Sequence, residues 1–323
     1  MRRREGAGVF RKGLLAIKEE TLDGDSPFGM MEGMKYIRTG SPQTFGQGAI
    51  FLCAILWSTS GLCIKLVPWH PVLIAGARSG IAALFLWGMR LLFMRRKGRA
   101  SKPLPVFAAG LAYAATMITF VVANKLTTSA NAILLQYSAP LWAAILGWVL
   151  IKEKLSWKHW GGLGLVIVGL VVFFKDSLGG GTLSGDCLAL LSGVFFGTTS
   201  VCMRMQKEGN PADAMLLSHI LCAGFAVPFA FLYPPVLSRG SMGAMLFMGT
   251  LQIGCASLLY AYGIKRVSAI QAMLTAVIEP VLNPLWVLLV TGEQPSSAAL
   301  FGGGLILGGV LISSLSPPAR QRV

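Results

Sequence analysis

Long apolar runs follow one another along the chain from about residue 47, and short breaks rich in Gly, Pro and charged residues separate them. About 20 predominantly apolar residues let an α-helix cross the hydrocarbon core of a membrane, which is about 30 Å thick. Most runs have about that length. They predict ten transmembrane helices, over residues 47–66, 72–94, 103–122, 129–151, 159–174, 184–205, 213–233, 243–262, 269–290 and 298–315.

The composition agrees with a membrane protein. Hydrophobic residues make up 54% of the chain and charged residues only 13%, whereas charged residues are about 25% of a soluble domain. The predicted fold class is therefore an all-α integral membrane protein. A net charge of +15 would suggest nucleic acid in a soluble protein. Here the basic residues lie between the apolar runs, so we interpret them as orientation signals and expect no nucleic acid partner.

Lysine and arginine predict the orientation, because they accumulate in cytoplasmic loops. With ten spans and a cytoplasmic N-terminus, 23 of the 28 basic residues fall inside. The five outside are Lys65, Arg78, Lys125, Lys175 and Arg239. We therefore expect a multi-pass protein of the cell membrane with both termini in the cytoplasm.

The chain contains an internal repeat. Shifted by 140 residues, the stretch 125–172 aligns without gaps on 265–312, and ten of the 48 positions are identical, with Pro, Glu and Gly among them. Each copy holds five spans, and an odd number means that the second copy enters the membrane from the opposite side. Such inverted repeats are a hallmark of secondary transporters. The predicted organisation is a cytoplasmic, disordered tail (1–45), two five-helix repeats (46–175 and 184–316) and a cytoplasmic C-terminal tail (317–323).

One arrangement occurs in both repeats: a proline, a glutamate 13 residues later, and then a Gly-rich helix. Its residues are Pro140 and Glu153 with the stretch 150–172, and Pro280 and Glu293 within 278–309. The pattern resembles the drug/metabolite transporter superfamily, in its EamA-type families of ten helices. The resemblance implies a central cavity between the two halves and export or exchange of small metabolites.

Glu279 is the foremost site candidate, because an ionised group near the middle of a span is costly unless it is paired or hydrated. Gln271, Thr275 and Asn283 lie at helical spacing from it and would form one polar stripe. Pro280 removes a backbone hydrogen bond beside it. Glu279 could bind a cation, a proton or a substrate amine. The alternative is a purely structural hydrogen bond between helices.

Other polar residues inside the spans are further cavity candidates. Arg78 could meet a substrate carboxylate, pair with Glu279, or extend to the outer interface. Asn131 stands at the repeat position equivalent to Gln271. The remaining candidates are Trp57, Tyr137, Gln136, His219, Gln252 and Tyr260.

Residues at span ends are interpreted as structural. Glu153 and Glu293 each precede by three residues a serine that can cap the next helix. We expect them to fix that turn through backbone hydrogen bonds. Lys65 and Arg204 end their spans and are expected to anchor them at the interface.

Paired glycines predict close helix packing, since GxxxG lets two backbones approach. The pairs are Gly76 and Gly80, Gly193 and Gly197, and Gly304 and Gly308.

The sequence favours a secondary transporter, an exporter or exchanger, over an enzyme. It lacks the GxxxxGK[ST] loop that ATP-driven transport needs, and it lacks HExxH and GxSxG. Three scattered histidines and six cysteines without CxxC predict no metal site, and we expect no cofactor. The expected partners are a small-molecule substrate and the lipid bilayer, and a homodimer stays open. The alternatives are an intramembrane enzyme and a regulatory membrane protein without transport.

Overall fold

The computed structural model describes residues 41–60, 63–64, 67–93, 101–127, 129–153, 155–175, 182–282, 286 and 297–315. Their regular secondary structure is helical throughout. Residues 40–86 and 98–323 belong to one compact unit, which holds every site discussed below. Residues 87–93, the last turns of the second helix, fall outside that unit.

In the N-terminal half, six α-helices are described from end to end. They are α1 (Pro42–Ser58), α2 (Pro71–Phe93), α3 (Pro103–Leu126), α4 (Ser129–Gln136), α5 (Ala139–Ile151) and α6 (Trp157–Phe174).

In the C-terminal half, six further α-helices and one π-helix are described from end to end. They are α7 (Leu183–Arg204), α8 (Ala212–Leu232), α9 (Arg239–Phe247), the π-helix Met248–Cys255, α10 (Ala256–Ile264), α11 (Ala269–Ala276) and α12 (Ser297–Ser314).

Six helical stretches of the described chain are long and apolar enough to cross a membrane: Pro71–Leu92, Pro103–Leu126, Asn131–Ile151, Leu183–Arg204, Ala212–Leu232 and Arg239–Ile264. Three shorter apolar helices accompany them, Trp157–Phe173, Ala269–Leu282 and Leu300–Ser313. Large apolar side chains such as Leu84, Leu104 and Phe231 remain more than two-thirds exposed. An outward face of this kind suits lipid and would be unfavourable in water.

The predicted spans 129–151 and 269–290 are not continuous helices. The first breaks at Tyr137 and Ser138, between α4 and α5, and the second breaks at Val277. A proline follows each break by three residues, Pro140 and Pro280, and cannot donate to the carbonyl four residues before it. The two breaks occupy equivalent positions of the internal repeat, 137 and 277, so the interruption is itself repeated.

The last helices of the two halves, α6 and α12, pack against each other through glycine. A Cβ atom on Gly162 would lie 2.7 Å from the Gly309 carbonyl oxygen, and one on Gly169 would lie 3.0 Å from that of Gly302. The N-terminal part of each helix thus meets the C-terminal part of the other, so the two helices are antiparallel. Under the 140-residue shift, the contact of Gly162 with Gly309 maps onto that of Gly302 with Gly169.

The paired glycines differ in their packing. Gly193 and Gly197 of α7 lie against the α4–α5 junction, where added Cβ atoms would approach the carbonyls of Gln136 and Ala139 at 2.8 and 2.9 Å. Gly304 has no atom within 4 Å of an added Cβ. The close contact of α12 is made by Gly302 and Gly309 instead, because that face is the one turned toward α6.

Candidate functional site

A small cavity lies among the helices of the compact unit. Both halves of the chain contribute to its wall. The lining residues are Trp57, Ser60, Arg78, Tyr113, Thr116, Met117, Phe120 and Gln136 from the N-terminal half, and Phe196, Gln252, Ile253 and Glu279 from the C-terminal half.

One face of α3 forms a large part of this wall. Tyr113, Thr116, Met117 and Phe120 stand at positions i, i+3, i+4 and i+7, the spacing of a single helical stripe. These four residues are not among the site residues predicted from the sequence. Their spacing is the signal that could have found them, but the helix is apolar on its other faces too, and the stripe therefore does not stand out.

The π-helix Met248–Cys255 supplies Gln252 and Ile253. A π segment holds an extra residue per turn relative to an α-helix and occurs frequently at functional sites. Gln252 Nε2 donates to the Trp57 carbonyl oxygen at 3.4 Å. Its Oε1 is buried and has no hydrogen-bond partner among the described residues.

Glu279 lines the cavity just after the break in the second interrupted helix. The hydroxyl of Tyr137, from the junction of α4 and α5, lies 2.7 Å from Glu279 Oε2 and 2.9 Å from the Ala276 carbonyl oxygen. That carbonyl is the one Pro280 leaves without a helical donor. Tyr137 therefore connects the interrupted helix of the first half to the interrupted helix of the second.

Arg78 lies on α2 and is only 2% exposed. Its Nη2 is 3.5 Å from the Met117 sulfur, a weak acceptor, and its Nε has no hydrogen-bond partner. No carboxylate of the described chain, including that of Glu279, comes within 4.0 Å of the guanidinium. Arg78 therefore neither extends to the outer interface nor pairs directly with Glu279, the two alternatives expected from the sequence.

Aromatic rings close another side of the cavity. The ring of Trp57 lies edge-on to Phe196 at 5.5 Å and 5.4 Å from the ring of Tyr260, centroid to centroid. Tyr260 is held by a short hydrogen bond with Ser200. These contacts fix the apolar wall in place, and such edge-to-face and tilted pairs are favourable ring geometries.

Several predicted site residues lie away from the cavity wall. Asn131 Nδ2 donates to Thr127 and Asp186 at 3.4 and 3.2 Å. Gln271 forms a capping box with Ser268 at the start of α11, and Thr275 donates to the Gln271 carbonyl oxygen at 2.8 Å. Local bonds therefore account for the polar stripe before Glu279. Asn283 and Glu293 lie outside the described residues.

Glu153 bonds to the other half of the chain. Its Oε1 accepts from Arg204 Nε at 3.1 Å, and its Oε2 accepts from the Ala269 N–H at 3.3 Å. Arg204 Nη1 donates to the carbonyl oxygens of Ile264 and Lys265 at 3.1 and 2.8 Å. Both charged side chains are buried. Arg204 is thus not the expected interfacial anchor, and Glu153 joins three helix ends rather than only its own turn.

Two described histidines take part in hydrogen bonds away from the cavity wall. His219 Nε2 lies 3.0 Å from Ser257 Oγ and outside the cavity wall, while His159 takes part in the cap of α6 with Ser156. Within the described chain, no group of three or more His, Cys, Asp and Glu could hold a metal ion. The arrangement can bind a solute through one cation, one carboxyl group, neutral hydrogen-bonding groups and aromatic rings.

Two curated relatives match the chain over nearly their whole length. One is an uncharacterized transporter, YwfM, of Bacillus subtilis (strain 168), 26% identical over 84% of this chain and 94% of the relative. The other is an uncharacterized transporter of Archaeoglobus fulgidus, 27% identical over 83% and 96%. The S-adenosylmethionine/S-adenosylhomocysteine transporter of Chlamydia muridarum is 30% identical over 41% of this chain and 42% of its own length.

A solved crystal structure shares the fold, with a TM-score of 0.72 and 23% identity over 84% of this chain and 97% of the other. The profile of the EamA-like transporter family matches twice, at residues 44–175 and 183–315. The resemblance inferred from the repeated Pro–Glu–Gly pattern is confirmed. This multi-pass membrane protein therefore belongs to the EamA-like transporter family.

Proposed function

We propose that the chain is a secondary transporter, an exporter or exchanger, which moves small organic metabolites by alternating access. Amino acids and related amphipathic solutes are the proposed substrates. The observation that carries this proposal is the cavity between the two halves, which holds Arg78 and Glu279. Charged groups inside a membrane protein are rare and mark substrate or ion pathways.

The proposed architecture is ten transmembrane helices in two inverted repeats, 46–175 and 184–316, between cytoplasmic tails at 1–45 and 317–323. The antiparallel contact of α6 with α12 supports it. These helices are equivalent in the repeat, and equivalent helices that run in opposite directions belong to halves of opposite topology. Two such halves can exchange inward-open and outward-open forms.

The repeated helix breaks also support transport. Residues 137 and 277 interrupt equivalent helices, and Gln136 and Glu279 beside these breaks line the cavity. Irregular backbone at membrane depth is tolerated where it is enclosed by protein or faces a cavity. Interrupted helices around a central site are a recurrent feature of secondary transporters.

Similarity to transporters of S-adenosylmethionine, which carries an amino acid group, favours solutes with both an amine and a carboxylate. The apolar wall of Trp57, Phe120 and Phe196 suits the remainder of such a solute. We propose that the protein resides in the cell membrane with both termini in the cytoplasm. The basis is the 23 basic residues in the loops and tails predicted to be inside.

Flux through proteoliposomes tests the proposal. Purified protein is reconstituted in vesicles loaded with a panel of amino acids and related solutes, and counterflow of each labelled solute is followed. We expect counterflow of at least one amphipathic solute, recovered chemically unchanged. Conversion of the solute would instead favour an intramembrane enzyme.

A pair of variants on α3 supplies the control. Thr116→Trp places a large side chain in the cavity wall, whereas Leu111→Trp places it on the half-exposed outer face of the same helix. Flux should be lost in the first variant and kept in the second. Equal flux in two well-folded variants, or no flux of any solute in the wild type, would contradict transport through this cavity.

A further inference from the structure

Arg78 is a buried cation without a protein counterion in the described chain. A guanidinium carries five N–H donors and stays charged in proteins. Among the described residues, the hydrogen-bond partner of its guanidinium is the Met117 thioether. Burying a charge without a partner is costly, and removing one member of a buried pair costs several kcal/mol for the same reason. A buried cation that lacks a counterion and lies in a cavity wall is suited to bind a ligand that carries a negative charge.

Two more unpaired donors line the same cavity. The Tyr113 hydroxyl and the Trp57 Nε1–H are buried and have no hydrogen-bond partner among the described residues. A carboxylate accepts through two oxygens and can take several such bonds, and a guanidinium binds it with two parallel N–H donors. The donors that the protein leaves unused thus match the acceptors of a carboxylate.

The charge of the cavity selects a monoanion over a phosphate. Arg78 is the one basic residue among the described lining residues, so a dianion would keep a negative charge in a low-dielectric site. Glu279 in the same wall would add to that repulsion when ionised. A single carboxylate is balanced by a single guanidinium.

The cavity wall also holds hydrogen-bond acceptors that suit the ammonium group of a substrate. Gln252 Oε1 is buried without a partner, and the Glu279 carboxyl group is within bonding distance of Tyr137 but of no described basic nitrogen. Both can accept from a substrate ammonium group. With the rings of Phe120 and Phe196 alongside, the wall presents donors, acceptors and apolar surface within one site.

We propose that Arg78 is the carboxylate-binding residue of the cavity, and that the substrate class is a small α-amino acid with an apolar side chain. This inference rests on the proposed transport function. It specifies which chemical group the substrate must carry and which residue recognises it.

Matched amino acid and amide probes test the inference. Each apolar standard L-amino acid is compared with its amide, which keeps the amine and side chain but lacks the carboxylate. Binding to purified protein is measured by thermal stabilisation, which needs no flux. We expect at least one L-amino acid to bind the wild type about tenfold or more tightly than its amide, the effect of one charge-assisted interaction.

Arg78→Gln should abolish that discrimination, because it should weaken binding of the amino acid and leave binding of the amide little changed. Arg78→Lys, which keeps the charge without the two-donor fork, should retain part of it and guards against a folding defect of the glutamine variant. Arg266→Gln is the control for a general loss of charge, because Arg266 stacks on Tyr262 outside the cavity wall. It should leave the discrimination unchanged.

Three outcomes would overturn the inference: amides that bind the wild type as well as their amino acids, discrimination that survives in Arg78→Gln, or no binding of any amino acid. The last outcome can coexist with counterflow of a solute without a carboxylate, blocked by Thr116→Trp. Transport would then stand and only the role of Arg78 would fail. Absence of all flux would contradict the proposed transport function itself.

Discussion

Tyr137 occupies a position where one hydroxyl meets two acceptors. Its oxygen is 2.9 Å from the Ala276 carbonyl oxygen and 2.7 Å from Glu279 Oε2. A phenol has a single proton to donate. When Glu279 is ionised, the two acceptors share the one Tyr137 proton. When Glu279 is protonated, it can itself donate to Tyr137 and leave the Tyr137 proton to Ala276. The position therefore links the protonation of Glu279 to the bonding of an interrupted helix.

Glu279→Gln tests this link, because the amide keeps the size and can donate to Tyr137 but cannot titrate. If Glu279 carries a coupling proton, the variant should lose flux driven by a pH gradient and retain solute exchange. If Glu279 binds a substrate amine, apparent affinity should fall at every pH instead. Counterflow and gradient-driven flux are measured from mildly acidic to mildly alkaline pH.

Normal flux at every pH in a well-folded Glu279→Gln variant would show that the carboxyl group is only structural. Tyr137→Phe is the companion variant. It leaves the carboxyl group in place and removes the hydroxyl from both acceptors. We expect it to lower thermal stability, because the Ala276 carbonyl loses its side-chain donor.

The contact of α6 with α12 depends on glycine at the element scale. A Cβ on Gly162 would approach the Gly309 carbonyl oxygen to 2.7 Å, whereas a Cβ on the adjacent Gly161 would meet no atom within 4 Å. Gly162→Ala should destabilise the protein by about 1–3 kcal/mol through overpacking. Gly161→Ala should be neutral or stabilising by about 0.5–1 kcal/mol, since alanine favours the helix. Thermal unfolding in detergent compares the two, and equal melting temperatures would contradict the close packing.

The cluster around Glu153 joins the ends of α5 and α7 with the turn before α11. A buried ion pair is favourable only when its remaining donors and acceptors are bonded, and here backbone groups of Ile264, Lys265 and Ala269 bond both partners. Glu153→Gln leaves Arg204 buried without its counterion and should cost about 3–5 kcal/mol.

A double-mutant cycle checks this expectation. Glu153→Gln, Arg204→Gln and the combined variant are compared by thermal unfolding. The combined loss should be smaller than the sum of the single losses, because the second substitution removes a charge that the first left unpaired. Additive losses would mean that the two side chains do not stabilise each other.

How far the sequence could predict these elements depends on the range of the interactions. Local patterns, such as apolar runs and the repeated Pro–Glu–Gly arrangement, indicated the helices, the repeat and the family. The breaks at 137 and 277 follow from Pro140 and Pro280 but were not predicted, because a proline can also be accommodated as a kink.

Pairings between distant segments were beyond the sequence. The bond from Glu153 to Arg204 spans 51 positions, and the one from Tyr137 to Glu279 spans 142. Spacing placed Gln271 and Thr275 on one stripe with Glu279, and it could not show that local bonds already satisfied them. Tyr113 and Thr116 are residue types that do not stand out in an apolar helix. Their place in the cavity wall is therefore visible only in the folded structure.

At the scale of the whole molecule, contacts between loops agree with the proposed alternation of spans. Trp69 bonds to Val236, and Thr127 bonds to Asp186. Each of these contacts joins residues in predicted outside loops or at the outer end of a predicted span. Ser101, in a predicted inside loop, bonds to Asp213 at the inner end of the predicted span 213–233.

The distribution of charge alone predicts which set of loops faces the cytoplasm. The predicted inside segments hold 23 basic residues and the outside segments five, and the excess persists as 15 to five without the eight of the N-terminal tail. We therefore expect residue 97 to face the cytoplasm and residue 239, which is exposed at the start of α9, to face outward.

Replacing the six native cysteines gives a background for single-cysteine labelling, since all six are free thiols. In intact cells, a membrane-impermeant thiol reagent should label Arg239→Cys and spare Lys97→Cys. Permeabilised cells should label both, which controls for the reactivity of each site. Labelling of Lys97→Cys from outside together with protection of Arg239→Cys would invert the orientation. Labelling of both from outside would put the two residues on the same side and require an even number of spans between them, whereas the ten-helix arrangement has five.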